Sequence, residues 1–467
     1  MASAALAQTV PVVMLSDIHF DPFHDPGKVA KLNTAAASEW DAILNAPDTA
    51  TQAADFAGLQ RTCKAKGIDT PMPLLVSSLA AERAQMAKPL FVTVSGDLMA
   101  HQFDCKFHTL FPKSTEADYS VFAAKTVAFV ALELHKTFPA APIYFALGNN
   151  DSGCKDYAED MNSAFLQGDG QSFAGDALNA ANGAAIAKEF SQLGDYNVAL
   201  PAPFEHTRLI VLQDIFESKR FTNCDGTPDK TAAAKQIEWL RAELAADAQK
   251  HEKVWVMAHI PPGIDAYSTF SKGNVCGGGD PTMFLGSTAL GDALAEYAGT
   301  VKLGLFGHTH MDEMKLLHAS AGMGVPVKLV PSITPVNGNN PSFTVAKVDP
   351  KTALLVDYSV YAASFALKDG QAGVGSVWSK EYTYSSTYGM PDYSAQSLEK
   401  LTSGFKSDVE GSAKDSLAYE NFYFVGDPKI SANAKAAGLR LVWHGYACSM
   451  TEMNADDFRT CACPAKP

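Results

Sequence analysis

The stretch VTVSGDLMAH, residues 92–101, decides the architecture. Val92, Thr93 and Val94 form a β-branched run of the kind that suits a pleated, buried strand. The run stops at Ser95-Gly96, and an acid, Asp97, follows at once. Four other segments are built the same way: MLSDIH (14–19) with Asp17 and His19, YFALGNND (144–151) with Asn149, VWVMAHIPPG (254–263) with His259, and LGLFGHTH (303–310) with His308 and His310. Open α/β sheets place their ligands just beyond the carboxyl ends of the strands. Five such ends converging would gather two Asp, one Asn and four His, a set that no ordinary core needs.

Working outward, strands are expected at 11–15, 90–95, 142–147, 254–258 and 301–306, with 197–200 and 208–213 in a second sheet. Further strand-like runs lie at 327–331, 343–348 and 353–361. Residues 117–136 and 231–250 carry apolar residues at helical spacing. Residues 155–195 are Ala-rich and helical in pattern, and 263–286 is a Gly-rich loop. The segment 30–88 is longer than a simple crossover needs and reads as a helical cap over the carboxyl edge. The resulting division is 1–10 as a signal-peptide remnant or disordered start, 11–367 as the catalytic domain, and 368–467 as a polar, Cys-containing helical subdomain.

The chain has 467 residues, a net charge of −14 and no Lys/Arg run, so a nucleic-acid polymer is not the expected partner. The negative field would not favour a polyanionic substrate either, unless metal ions reverse the sign locally. The eight cysteines are even in number and lie mostly in turn-like stretches, which reads as disulfides made in an oxidising compartment. Cys63 is expected to pair with Cys105, and Cys448 with Cys461 or Cys463; the rival is a zinc site at Cys461-Ala462-Cys463. Ala5-Leu6-Ala7 before Gln8 resembles the tail of a signal-peptide cleavage site. A secreted or periplasmic location is expected, with transient membrane contact open through an apolar lid; oligomeric state is not legible.

On extended backbone, side chains alternate with period two, which would put Asp17 and His19 on one side, and likewise His308 and His310. Asp97 has two oxygens and can bridge two cations. The seven groups then divide as Asp17, His19 and His310 on one ion and Asn149, His259 and His308 on the other, with Asp97 between. Mixed imidazole and carboxylate donors suit Zn, with Fe or Mn as alternatives, better than Ca or Mg. Two such ions can deprotonate a bridging water for in-line attack on phosphorus.

In this order D-x-H, G-D, G-N-x-[DE], H and G-H-x-H are the signature of the calcineurin-like metallophosphoesterases. SGDLMAH (95–101), AHIPPGID (258–265), GHTHMDE (307–313) and PSITPVNGNNPSF (331–343) resemble the acid sphingomyelinase-like branch. The resemblance covers roughly 11–365 and implies a four-layer α/β/β/α sandwich and a phosphodiesterase. It departs at Asn150, where the family usually has a His that steers substrate and helps protonate the leaving group; polyphosphatase-like members share the Asn. An amide donates a hydrogen bond to phosphate but is no acid near neutral pH. His101, four residues after Asp97, matches a second His of the sphingomyelinase-like branch and is the expected acid. Ala100 stands where purple acid phosphatases carry a Tyr iron ligand, so no such centre is expected. Asp21, His24 and Asn340 are the candidate substrate contacts. The implied substrate is a small-molecule or lipid phosphodiester; a monoester or polyphosphate is the alternative, and an inactive phosphate-ligand binder the second.

Overall fold

The computed structural model of the chain describes residues 9–272, 274–319, 322–364, 377–425 and 434–463. The signal-peptide reading at 5–8 and the boundary at 367/368 lie outside them. In chain order the strands are β1 Val10–Leu15, β2 Val92–Ser95, β3 Ile143–Ala146, β4 Tyr196–Ala199, β5 Thr207–Val211, β6 Lys253–Met257, β7 Val301–Phe306, β8 Glu313–His318, β9 Gly324–Leu329, β10 Ser342–Asp349, β11 Leu354–Ser364 and β12 Val377–Thr383. They form two six-stranded sheets, ordered β12-β11-β10-β1-β2-β3 and β4-β5-β6-β7-β9-β8. The central strands β1-β2-β3 and β5-β6-β7-β9 run parallel, and the edges are antiparallel.

Side-chain alternation produces the layers. In the second sheet Leu209, Val211, Trp255, Met257, Leu303 and Leu305 join the core shared with the first sheet. Their neighbours Ile210, Val254, Val256 and Phe306 face the other way. That outer face is covered by the helices Thr231–Gln249, through Leu240 and Leu244, and Ala289–Glu296, through Leu290 and Leu294. Between the sheets Trp255 meets Phe91 at 5.8 Å, and its indole N–H donates to the Ala353 carbonyl at 2.8 Å. Outside the first sheet, Met72–Gln85 packs on β10 and Ala164–Asp176 on β3, with Glu116–Thr137 against both. The chain is therefore an α/β/β/α sandwich.

Two strands were not legible. β8 carries Glu313 and Lys315 at alternate positions, yet both are buried, and the Lys315 ammonium donates to the carbonyls of Ile264 at 3.3 Å and Ser449 at 3.0 Å. β12 opens the region expected to be helical; its Lys380 and Glu381 break the apolar pattern, as charges on edge strands commonly do. The Gly-rich loop holds a short helix, Ala266–Lys272. It is pinned to the C-terminus by Cys276–Cys463. Cys63–Cys105 and Cys448–Cys461 pair as expected, and Cys154–Cys224 completes the set. The zinc reading of Cys461 and Cys463 is thereby corrected: both sulfurs are consumed in different disulfides. The C-terminal helix Ala395–Ser407 packs on β8 and β9, and the Tyr393 hydroxyl donates to the Val327 carbonyl at 2.8 Å.

Candidate metal centre

Register brings the motifs to one level. Leu15 pairs with Val94, Ser95 with Ala146, and Met257 with Leu305, so the segments that follow all emerge on one edge. The two sheets are then tied across that edge. His259 Nδ1 lies 2.8 Å from the Ser95 carbonyl, and the His308 N–H donates to Asp17 Oδ1 at 3.1 Å.

The expectation that Asp17 and His19 share one side because the segment between them is extended is corrected. Asp17 and His19 both have φ 47°, Asp97 55°, His308 71° and His310 67°. All five sit in the left-handed region, which costs of order 1–3 kcal/mol each for residues other than Gly. The side chains converge because the backbone turns at each of them. Two motif glycines permit this. Gly96 has φ +93°, and a Cβ there would stand 2.7 Å from His259 Nδ1. A Cβ on Gly307 would overlap the Ser16 hydroxyl.

The donor atoms meet around Asp97. Its Oδ2 is 3.3 Å from His19 Nε2 and 3.1 Å from His259 Nε2. Asp17 Oδ1 is 3.4 Å from His310 Nε2 and 3.8 Å from His19 Nε2. His19 Nδ1 faces the Met99 carbonyl at 2.8 Å, as His259 Nδ1 faces that of Ser95, so a neutral ring would keep its proton on Nδ1 and turn an Nε2 lone pair to Asp97. His19 Nε2, His259 Nε2 and Asn149 Oδ1 are buried with no hydrogen-bond partner among the described residues. Buried polar atoms are rarely left so. Asp17, His19 and Asp97 form one metal-capable group, and Asp97, His259 and His308 another, with Asp97 common to both. These atoms fit a pair of divalent cations.

Charge balance points the same way. Burial pushes the Asp97 carboxyl up, but His259 and His19 beside it hold it well below the usual range. Burial alone would lower His259, but Asp97 outweighs it and lifts it to about 10. Burial takes His308 down to about 4 and His310 to about 3, so both are neutral, lone-pair donors. Without cations, protonated imidazoles supply the positive charge the two carboxylates require.

His101 stands at the rim. Its ring stacks on His19 at 4.0 Å, and its Nδ1 is 2.9 Å from Asp69 Oδ1. Asn150 reaches inward: its backbone N–H donates to Asp97 Oδ1 at 2.8 Å and its Nδ2 to Asp97 Oδ2 at 2.9 Å. The candidate substrate contacts fall elsewhere. Asp21 is buried in an ion pair with Lys106 at 2.8 Å. His24 packs on Phe56 and faces Gln52. Asn340 is buried, and its N–H donates to the Phe424 carbonyl at 3.3 Å. None of the three lines the cavity of about 490 Å³ that opens over Asp97, His101, Asn149 and His308. Lys66, Lys219, Arg220 and Lys272 do. An adjoining chamber of about 330 Å³ is walled by Phe284, Met311, Tyr423 and Phe424.

Sequence reasoning assigned no role to three carboxylates. Asp69 sits in the 30–88 insertion, where no strand end marks it. Asp151, raised to about 6 by burial and by Asp97, accepts from the N–H groups of Leu98, Met99 and Gly148 and so shapes two motif loops. Asp214 takes the Ile260 N–H at 3.0 Å beside His259; as an acid soon after the end of β5 at Val211, it followed the same strand-end rule that marked Asp97.

Residues 10–312 match the family described as calcineurin-like phosphoesterase. The chain belongs to that family. This calcineurin-like phosphoesterase is 24% identical over 462 residues to acid sphingomyelinase-like phosphodiesterase 3b of Homo sapiens, covering 96% of this chain and 89% of the relative. It is 30% identical over 207 residues to cyclic GMP-AMP phosphodiesterase of Rattus norvegicus, covering 43% of each chain. Among solved structures it is similar to a dimetal phosphatase from Danio rerio, at 14% identity and a TM-score of 0.39, covering 80% of this chain and 99% of that one. The protein is a phosphoester hydrolase of a family that uses divalent metals.

Proposed function

We propose that the protein is a two-metal phosphodiesterase acting on a small-molecule or lipid phosphodiester. The observation that carries this reading is the convergence of two orphaned buried donors, His19 Nε2 and His259 Nε2, on Asp97, with a third orphaned donor, Asn149 Oδ1, on a residue lining the same cavity. Asp17, His19 and His310 would hold one cation and Asn149, His259 and His308 the other, with Asp97 available to both. Zn suits these donors best, Fe or Mn next. When bound, the two cations supply positive charge and an activated water. The chain's own residues do the rest. His101, with Nδ1 held by Asp69, keeps Nε2 for a proton to the leaving oxygen. Asn150 holds Asp97 through one amide hydrogen and has the other for a phosphoryl oxygen. The adjoining chamber, whose aromatic walls stand beside Lys66, Asp265 and Glu313, receives the part of the substrate that is not hydrolysed. Relatives named for phosphodiesterase activity over nearly the whole chain support the diester.

A second reading, a monoesterase or polyphosphatase, is favoured by Lys66, Lys219, Arg220 and Lys272 around the cavity, which suit further negative charge. The test is hydrolysis of bis-p-nitrophenyl phosphate against p-nitrophenyl phosphate by metal-stripped and by Zn- or Mn-reloaded protein. Metal-dependent preference for the diester is expected. Preference for the monoester moves the reading to the second, and no turnover on these or on natural diesters leaves a phosphate-ligand binder.

The four disulfides are what an oxidising compartment produces. No helix among the described residues is long and apolar enough to cross a membrane. We propose a secreted or periplasmic protein, with residues 11–367 as the catalytic unit and 368–467 as its appended subdomain.

A further inference from the structure

Among the seven candidate ligands Asn149 is chemically ambiguous. Turned by a half rotation, its amide would offer NH₂ instead of oxygen, and NH₂ is no ligand. The structure shows what fixes it. Asn149 Nδ2 donates to Asp156 Oδ1 at 2.8 Å, which leaves Oδ1 buried and without a hydrogen-bond partner, on a residue that lines the cavity over Asp97. An ionised carboxylate only accepts, so it rejects the flipped amide. The other oxygen of Asp156 takes the Arg220 guanidinium at 3.2 Å, and that guanidinium lies 3.8 Å over the Tyr157 ring. The Tyr157 N–H returns to the Asn149 carbonyl at 2.9 Å. The loop carrying Asp156 is joined to the loop carrying Arg220 by a β-bridge between Ala158 and Thr222 and by Cys154–Cys224. A carboxylate, a cation, an aromatic ring and a disulfide thus converge on one amide.

We propose that Asp156 is a positioning residue for Asn149, with Arg220 acting through it, and that this pair sets the affinity of the second cation. The inference rests on the two-metal reading above. Arg220 stands on the cavity wall, but its expected role is in metal retention.

The test titrates Zn into metal-stripped full-length protein, by calorimetry and by bound Zn per chain after dialysis. Wild type is expected to bind two Zn. Asp156→Ala should keep the first and lose the second by about 10- to 100-fold in affinity, the usual effect of removing a ligand's outer partner. Asp156→Asn, which retains an acceptor oxygen, should restore most of it. Arg220→Ala should weaken the second site alone. The metal-free variants should unfold at the wild-type temperature. Two Zn bound by Asp156→Ala with wild-type affinity overturns the inference, as does equal weakening of both sites. If Asp156→Ala fails to fold, wild-type affinity in Arg220→Ala overturns it instead. A wild type that binds fewer than two Zn sinks the two-metal reading and this inference with it.

Discussion

Asp69 Oδ1 lies 2.9 Å from His101 Nδ1, and its Oδ2 accepts the His101 backbone N–H at 2.9 Å, so one buried carboxylate fixes both the ring and its loop. Burial would raise the Asp69 carboxyl, but His101 outweighs it and holds the group well below the usual range, so it stays ionised. His101→Ala is expected to lower turnover by about 10²- to 10⁴-fold on a diester with a poor leaving group, the usual span for a lost general acid. The loss should shrink with p-nitrophenolate, which leaves without protonation, and bound metal should be unchanged. Asp69→Asn should follow the same leaving-group pattern. An equal loss on both substrates would remove His101 from the acid role.

Gly96→Ala should damage the centre far more than an exposed Gly→Ala change. Its φ of +93° and the 2.7 Å approach to His259 Nδ1 both exclude a Cβ. The cost is expected at roughly 2–4 kcal/mol, together with weaker metal binding. Chemical denaturation and Zn titration would show it; a variant with wild-type stability contradicts the close packing.

Metal affinity should rise with pH. His259 is raised to about 10 in the metal-free site, and a ligand must shed its proton to bind. Zn titrations between about pH 5 and pH 8 should therefore show proton release and tighter binding at the higher value. Chelation should lower the melting temperature, by the equivalent of roughly 3 kcal/mol at a hundredfold excess over Kd. Pure pH-independence would contradict ligation by His259.

Glu82 gives a stability effect remote from the centre. Burial raises its carboxyl to about 7, above the 4.5 of an ordinary Glu, while Ser78 donates to one oxygen at 2.7 Å. The folded state holds the proton more tightly, so the contribution is complete below the unfolded value and is lost as pH rises through about 7. Wild type should lose on the order of 2 kcal/mol from this group between about pH 5 and pH 8. Glu82→Gln should not, and the gap in melting temperature should open with rising pH.

Cys63–Cys105 closes a loop of 42 residues and holds Asp69 near His101. Replacing both cysteines by Ser should cost about 2–4 kcal/mol and reduce turnover on poor leaving groups more than on p-nitrophenyl esters. Unchanged stability in thermal unfolding would count against the pairing.

Much of the centre was legible because its chemistry follows strand ends. Asp17, Asp97, Asn149, His259 and His308 each come within three residues of a strand end. The same rule could have marked Asp214. Asp156 and Arg220 belong to long loops, where no period marks position. Asp69, likewise in an insertion, gave no local signal.

The sequence alone determined most of the strand positions, the metal-capable residues and their order, because hydrophobic periodicity and donor chemistry are local properties; the two-sheet α/β/β/α class was what the family resemblance of those motifs implied. Only the tertiary structure decided how those donors meet. Their convergence depends on left-handed turns at Asp17, His19, Asp97, His308 and His310, on two glycines and on hydrogen bonds between sheets. It also decided which way the Asn149 amide points and which carboxylate holds His101. Those relations join residues far apart in the chain, and only packing brings such residues within hydrogen-bonding distance.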